Sequence, residues 1–450
     1  MGSVDMPIDR AHRPTDVARR PTDTAPRTSR RRLLAASSAA VASLGLSACA
    51  RGSMSRPAPA DVVSVFNDNP TWSPGFRAAG RKLRPLSGYR LAPRAVPNVS
   101  NYQQIVRMSA QTDSTADLLK WWNGYRLRDI ARAGILADVT DAWDEAARHG
   151  WSDDTALRAS FSHEGRQYGV PLYKSYYVVF YSRSVFRRLG VDVPTTWQRF
   201  LDVVDAAHAK GITPIASGGA TTWESSIWFQ QLVNGLDHRF YLELTAGRAS
   251  YTDGVCRRAM ALWSDLYRRG AFSSADASAT DVPGQFARGR TAMCLYGSWN
   301  TGAFLDAGVK DADLGAFLLP PPPGGERSVL VESGVLAVSA QAHKRGAALA
   351  VARAWLNPAV QTAWTGFLRD TSADPGVVPN VGTVRQIAAQ VRRERPKQAI
   401  RYWEASPPVL IEGNVQDLSA FMIDPTPAKA TRTLANMQHR ADKEWKVWTS

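Results

Sequence analysis

An α/β fold in two lobes is what this sequence predicts, on three observations. Segments of strand-like pattern alternate with segments of helical spacing, as when helices cover mainly parallel sheets. About 400 residues follow Cys49, too many for one ordinary hydrophobic core. The composition, 44% apolar and 21% charged, is that of a globular chain, and no stretch beyond the N-terminal region could span a membrane.

Val62–Phe66 reads as the first strand. Ala116–Lys120 is the next, and Tyr125–Ala133 has helical spacing that stops at Gly134. Strands are expected at Gln167–Leu172 and Tyr177–Tyr181. Pro194-Thr195-Thr196 then caps a helix in which Trp197, Phe200, Leu201, Val204 and Ala207 form one apolar stripe as far as Gly211. Trp197 is therefore expected in the core. Ile212–Ala216 is a strand, and Gly254–Tyr267 and Ala347–Leu356 are helices. Thr426-Pro427 supplies a cap and a first-turn proline to a last helix, with Ala430, Leu434, Met437 and Ala441 on one face. Between strands at Leu314–Leu319 and Gly334–Val338 lies Pro320-Pro321-Pro322-Pro323-Gly324-Gly325, which fits neither a helix nor a central strand. It is expected to be a linker, a turn or a loop close to a hinge.

Two motifs near the start predict where the chain works. Ser29-Arg30-Arg31-Arg32-Leu33-Leu34 looks like a twin-arginine export signal, and Leu33–Ala48 is a short Ala/Ser-rich run, too polar for a spanning helix. Leu46-Ser47-Ala48-Cys49 matches a lipoprotein lipobox at all four positions. Residues 1–48 are expected to be a removable signal and Cys49 the lipidated residue. Residues 49–60 would be a tether at the outer face of the cytoplasmic membrane.

Residues 1–48 carry eight Arg and four Asp, so their removal lowers the formal charge from +15 to +11. The remaining arginines are scattered, with no basic run interleaved with aromatics, so no nucleic-acid partner is expected. Cys256 and Cys294 could bridge in an exported protein, although the apolar run Ala292-Met293-Cys294-Leu295 favours buried free thiols. The seven His residues are scattered and no Cys/His cluster has zinc spacing, so neither metal nor cofactor is expected.

A series of phrases then resembles the extracellular solute-binding proteins of carbohydrate ABC importers, the group that includes maltose-binding protein. They are Asp117-Leu118-Leu119-Lys120-Trp121-Trp122-Asn123, Ala133-Gly134-Ile135-Leu136-Ala137-Asp138-Val139-Thr140 and Gly165-Arg166-Gln167-Tyr168-Gly169-Val170-Pro171. Phe180-Tyr181-Ser182, Leu189-Gly190-Val191, Pro194-Thr195-Thr196-Trp197 and Gly211–Ala216 follow. Phe286, Gly289, Ala292 and Met293 precede Gly297-Ser298-Trp299. Their order and spacing carry the resemblance over nearly the whole chain after Cys49. One departure is Gln111–Ala116, which lacks the Gly-Thr-Pro phrase common in relatives.

The resemblance implies a two-lobe periplasmic-binding-protein-like fold, each lobe a mixed sheet flanked by helices, with a hinge between. Lobe I would take 61–170 and 326–357, and lobe II 171–325 and most of 358–450. The chain would cross near Pro171, near Pro320–Gly325 and near Asn357-Pro358. A ligand would sit between the lobes. The partners implied are a carbohydrate ligand and ABC transporter permease subunits, the binder itself being a monomer and not an enzyme.

A pyranose has apolar C–H faces and a rim of hydroxyls, so aromatic faces beside carboxylates, amides and cations are the chemistry to seek. Fifteen Trp is a high count, and several lie at strand ends or in turns. Of Trp121 and Trp122, which point opposite ways along a strand, one is expected to stack on ligand, with Asn123 beside it. Trp223 with Glu224 after a flexible loop is another platform, and the resemblance implies two more, Trp299 after Gly297-Ser298 and Trp403. Asn67 and Asp68 end the first strand, where loops face a cleft, though a capping cluster is an equal reading. Lys174 and Glu332 flank expected crossovers. Glu224 and Glu332 could instead be a glycosidase pair, but nothing in the sequence sets the separation that chemistry needs. A surface glycan-binding protein uncoupled from import would share the export signal and the aromatics.

Overall fold

A computed structural model describes residues 59–112, 114–151, 155–218, 222–274 and 281–449. The expected signal at 1–48, Cys49 and nearly all of the tether at 49–60 lie outside these residues. The strands in chain order are β1 (Val62–Asn67), β2 (Arg90–Ala95), β3 (Leu118–Trp122), β4 (Ser162–His163), β5 (Arg166–Gln167), β6 (Val170–Pro171) and β7 (Ser175–Ser182). β8 (Thr213–Ala216), β9 (Thr291–Gly297), β10 (Leu314–Phe317), β11 (Ser328–Glu332), β12 (Gly334–Val338) and β13 (Lys397–Ile400) complete them.

Two sheets carry two separate cores. The first has the order β2-β1-β3-β12-β6. β1 is parallel to β2 and β3, while β12 runs antiparallel to β3 and β6. Its core gathers Phe76, Tyr102, Trp121, Leu127, Trp355 and Trp364 from the helices and β3. The second has the order β13-β11-β7-β9-β8, with β10 beside β7. Here β11–β13 and β8–β9 are parallel, and β7 is antiparallel to β9, β10 and β11. Its core runs from Tyr177 through Trp228, Trp263 and Phe304 to Met437. Both sheets are thus mixed, not mainly parallel as the alternation predicts, because β7 and β12 enter directly from the other sheet without a crossover helix.

Local signals in the sequence match the elements. Thr196 caps the helix Trp197–Ala209 through its hydroxyl, which accepts from the Arg199 amide, and Trp197 is buried as expected. Cys256 and Cys294 are free and buried. The strand expected over Gln167–Leu172 is split into β5 and β6, because Gly169 passes so close to Val335 that a Cβ there would lie 2.2 Å from it. Among the described residues no helix is long and apolar enough to cross a membrane.

The lobe boundaries differ from those the sequence predicts. β11 pairs with β7 and β13 in the second sheet, whereas β12 pairs with β3 in the first, so the second crossing is at Ser333 and not at the proline run. The run belongs to the second lobe: Gly325 closes a turn onto Pro322, and Glu326 donates to the Gly235 carbonyl. The helix Pro358–Leu368, expected in lobe II, packs Val360, Trp364 and Leu368 into the first core. Asn357 caps that helix, so Asn357-Pro358 starts an element and makes no crossing. The third passage lies between Ala373 in the first core and Thr383, which bonds to Asp311 and Leu314 of the second lobe.

These passages lie side by side. Leu172 donates to Gly334, Lys174 donates to Thr371, and the Thr371 hydroxyl returns to the Lys174 carbonyl. Asp370 accepts from Ser175, from Ser298 at 2.5 Å and from the Thr371 amide at 2.8 Å. Away from the passages, the helix Gly124–Arg132 of the first lobe meets Tyr402–Ala405 of the second. Gly124 has φ +60°, and a Cβ on it would fall 2.2 Å from the Glu404 carbonyl oxygen. Gly124→Ala is therefore expected to lower the melting temperature and to increase the radius of gyration in small-angle scattering, the left-handed backbone alone costing about 1–2 kcal/mol. Unchanged melting and scattering would show that this contact is not held in solution.

Candidate functional site

The two sheets face each other along their carboxyl edges. Register fixes this: Gly334 lies opposite Trp122, Glu332 opposite Ser175, and Gly297 opposite Tyr177. The ends of β1, β3 and β6 in the first sheet and of β8, β9, β11 and β13 in the second therefore point to the passages between lobes. Open α/β sheets bind ligands beyond their carboxyl edges. The residues that follow these strands are Asn67-Asp68, Asn123, Trp223-Glu224, Trp299, Glu332 and Arg401–Trp403.

On the second lobe they form one wall. Glu332, 5% exposed, accepts from the Trp299 indole at 3.0 Å and from the Tyr173 hydroxyl at 3.1 Å, and pairs with Arg401 at 3.0 Å. Arg401 also holds Glu404 through two bonds of 2.6 Å and donates to the Tyr177 hydroxyl. Burial pulls the Arg401 pKa down, but the carboxylates of Glu332 and Glu404 outweigh it and hold it well above the usual guanidinium value. The guanidinium lies 5.2 Å from the Trp223 ring centre. Trp223, Tyr296 and Trp299 surround one another with centroids 5.4–6.0 Å apart. Trp223 and Trp299 are half-buried.

Glu224 stands in this wall. Tyr296 donates to its Oε1 at 3.3 Å, while Oε2 is buried without a hydrogen-bond partner. Burial pushes its carboxyl up to about 7, against the smaller pull of its own backbone amide, Tyr296 and Arg401. Asp370, beside the passages, is likewise raised by burial to about 7 despite the hydroxyls of Ser175 and Ser298.

The first lobe presents a different surface. The Lys120 ammonium pairs with Asp68 at 3.0 Å, lies 3.8 Å from the Trp122 ring centre and 5.6 Å from that of Trp72. Trp121 and Trp122 are both buried, at 1% and 6% exposure. The expectation that one of them stands open meets β3 covered on both faces, with every residue buried. Trp121 donates its indole N–H to the Arg126 carbonyl inside the core, and Lys120 lies over Trp122. Asn123, 1% exposed, donates to Ser160 and faces inward. Asn67 donates to the Arg94 carbonyl and accepts from the Asn69 amide, the capping role that the sequence left open. Lys174 is buried at the first passage, its ammonium 5.7 Å from the Tyr176 ring.

Trp403 packs against both cores. Its ring carries the Arg126 guanidinium at 3.9 Å, and Arg126 also donates to the Trp403 carbonyl and to Glu412, both at 3.1 Å. This face is thus taken by the other lobe. Of the expected residues, Trp223, Glu224, Trp299 and Glu332 share one wall, and Asp68 pairs with Lys120 on the first lobe. Sequence reasoning missed Arg401, Tyr296, Tyr173, Lys120 and Asp370. The one sequence signal for Arg401 is its place two residues before Trp403. Among the described residues no group of His, Cys, Asp and Glu could hold a metal ion.

Two lobes joined by three passages thus carry a wall of aromatics at the strand ends of the second lobe. The model of the bacterial extracellular solute-binding proteins matches residues 93–362, more than half of the chain. The chain belongs to that family. A protein of Brucella suis biovar 1 (strain 1330), named "Probable sugar-binding periplasmic protein", is 26% identical over 252 residues, which is 54% of this chain and 57% of the relative. This solute-binding protein thus spans little more than half the length of the curated relative it matches. The solved bacterial solute receptor AcbH superposes with a TM-score of 0.76 at 16% identity, covering 85% of this chain and 99% of the receptor. A chitin oligosaccharide binding protein superposes at 0.72 with 20% identity, covering 85% and 98%. At these identities the likeness concerns the fold.

The raised carboxyl of Glu224 sets a pH dependence. Its folded pKa lies above the unfolded value, so its contribution to stability is complete below about pH 4.5 and is lost as pH rises through about 7. Glu224→Gln should match the wild type near pH 4. It should unfold at higher denaturant concentration than the wild type at pH 8, by up to about 3 kcal/mol. A gap independent of pH would place the titrating burden elsewhere.

Proposed function

We propose that this chain is the substrate-binding component of an ABC importer that captures a sugar or oligosaccharide between its lobes and presents it to membrane permease subunits. The observation that carries this reading is the wall of Trp223, Tyr296 and Trp299 beside Glu224, Glu332 and Arg401, at the carboxyl edge that faces the other lobe. Aromatic faces suit the C–H faces of a pyranose, and the carboxylates suit its hydroxyls. Family membership supports it, as do the relatives: one carries a sugar-binding name, AcbH is described with a preference for b-D-galactopyranose, and the other receptor is named for chitin oligosaccharide. On the first lobe, Asp68 and Lys120 supply an ion pair at the strand ends.

The enzyme alternative is not favoured. Glu332 is tied by Arg401, Trp299 and Tyr173, which leaves it a poor nucleophile. Export through the twin-arginine motif and a lipid on Cys49 remain part of the proposal, resting on residues 29–49 alone. So does the monomeric state.

Calorimetric titration of the protein with a panel of neutral, aminated and acidic mono- and oligosaccharides tests the reading. Saturable binding of at least one saccharide is expected; binding of peptides or polyamines with none of any sugar would overturn it. Trp299→Ala is expected to weaken that binding by about 1–3 kcal/mol, the range for stacking of a planar group on an aromatic side chain. Trp299→Phe keeps the ring but loses the bond to Glu332, and should retain most of the affinity. Equal losses in the two variants would assign the role to the indole N–H and not to stacking.

A further inference from the structure

Glu224 Oε2 is a buried acceptor with no partner, in a wall where Tyr296, Trp299, Tyr173 and Arg401 donate elsewhere. The Tyr296 hydroxyl donates to the other oxygen of Glu224. The Trp299 indole and the Tyr173 hydroxyl donate to Glu332. Arg401, the cation nearest Trp223, is shared between Glu332 and Glu404 and donates to Tyr177. When Glu224 is ionised, a donor brought by a ligand would complete its Oε2.

Charge decides which donor. Arg401 offsets one of the two carboxylates it holds, so Glu332, Arg401 and Glu404 together leave one negative charge. Glu224 adds another when ionised, in a place where burial opposes ionisation. A sugar hydroxyl would satisfy the hydrogen bond but not the charge; an ammonium would satisfy both. Three aromatic rings stand around the same carboxyl, with Trp223 and Trp299 half-buried and part of their surface open. Aromatic faces attract cations through the ring quadrupole, most strongly in tryptophan. An acceptor, an uncompensated negative charge and aromatic faces in one place are the three elements of an amine subsite.

We infer that Glu224, framed by Trp223, Tyr296 and Trp299, is the subsite for a protonated amine, and that the ligand class of this protein is amine-bearing saccharides. This rests on the reading of the chain as a carbohydrate binder and narrows it. Neutral sugars and N-acetylated sugars bring no charge to Glu224 and bind more weakly. Acidic sugars meet two carboxylates and bind weakest.

Matched probes test this on the intact protein. Calorimetric or fluorescence titration near pH 7 compares D-glucosamine with D-glucose and N-acetyl-D-glucosamine, and the β-1,4-linked glucosamine disaccharide with cellobiose. The amine-bearing member of each pair is expected to bind at least about tenfold more tightly. In Glu224→Gln, which keeps size and shape, that ratio should fall to within about twofold. A neutral sugar that binds as tightly as its aminated partner in the wild type overturns the inference alone. So does a preference for the amine that survives Glu224→Gln. Absence of binding by any saccharide overturns the carbohydrate reading, and this inference with it. The ratio is read in the wild type first, so a poorly folding variant does not remove the test.

Discussion

The site depends on the buried ion network of Glu332, Arg401 and Glu404 at the carboxyl edge of the second sheet. Two carboxylates and one guanidinium lie there almost without solvent. Such a network adds little net stability over an apolar core, but breaking one partner leaves a buried charge uncompensated, at about 3–5 kcal/mol. Its value here is geometric. Glu332 ends β11 and Arg401 follows β13, so the pair ties together two parallel strand ends. Glu332 then fixes the Trp299 indole after β9, and Arg401 lies against Trp223 after β8. Tyr173, from the first passage, donates to the same carboxylate, so the network also reaches the hinge. Strand ends, aromatic wall and hinge are held by one set of charges.

The fold was legible wherever a signal is local. Caps, helical stripes and strand alternation placed the elements that carry them, as with Thr196 before Trp197–Ala209 and the strand beginning at Val62. The lobe boundaries were not legible. Gly334–Val338 was legible as a strand, but nothing local says that a single residue, Ser333, separates it from Ser328–Glu332 in the other sheet. The proline run is conspicuous but only turns the chain within one lobe. Asn357-Pro358 carries a helix-start signal that a boundary would also show.

The candidate wall was legible only in part, for a related reason. Trp223, Glu224, Trp299 and Glu332 follow or end strands of the second sheet, where sugar chemistry and the family resemblance together had put candidates. Trp121 and Trp122 misled because strand alternation implies an open face only where one face of the strand is bare, and β3 is covered on both. Trp403 misled because its ring is occupied by Arg126, which arrives from 277 residues earlier in the chain. Arg401 was missed because a lone arginine after a short strand carries no weight until its two carboxylates are seen around it. Buried polar groups that find partners across lobes leave no mark in sequence; buried polar groups that lack partners, such as Glu224 Oε2, are visible only in three dimensions.

We propose that ligand is held where the carboxyl edges of the two sheets meet. Backbone hydrogen exchange, with and without a saturating saccharide, tests it most directly. Slower exchange is expected at 66–72, 120–124, 222–225, 297–300 and 400–404, and at the passages 172–175 and 332–334. Protection confined to other surfaces, with these segments unchanged, would contradict the account.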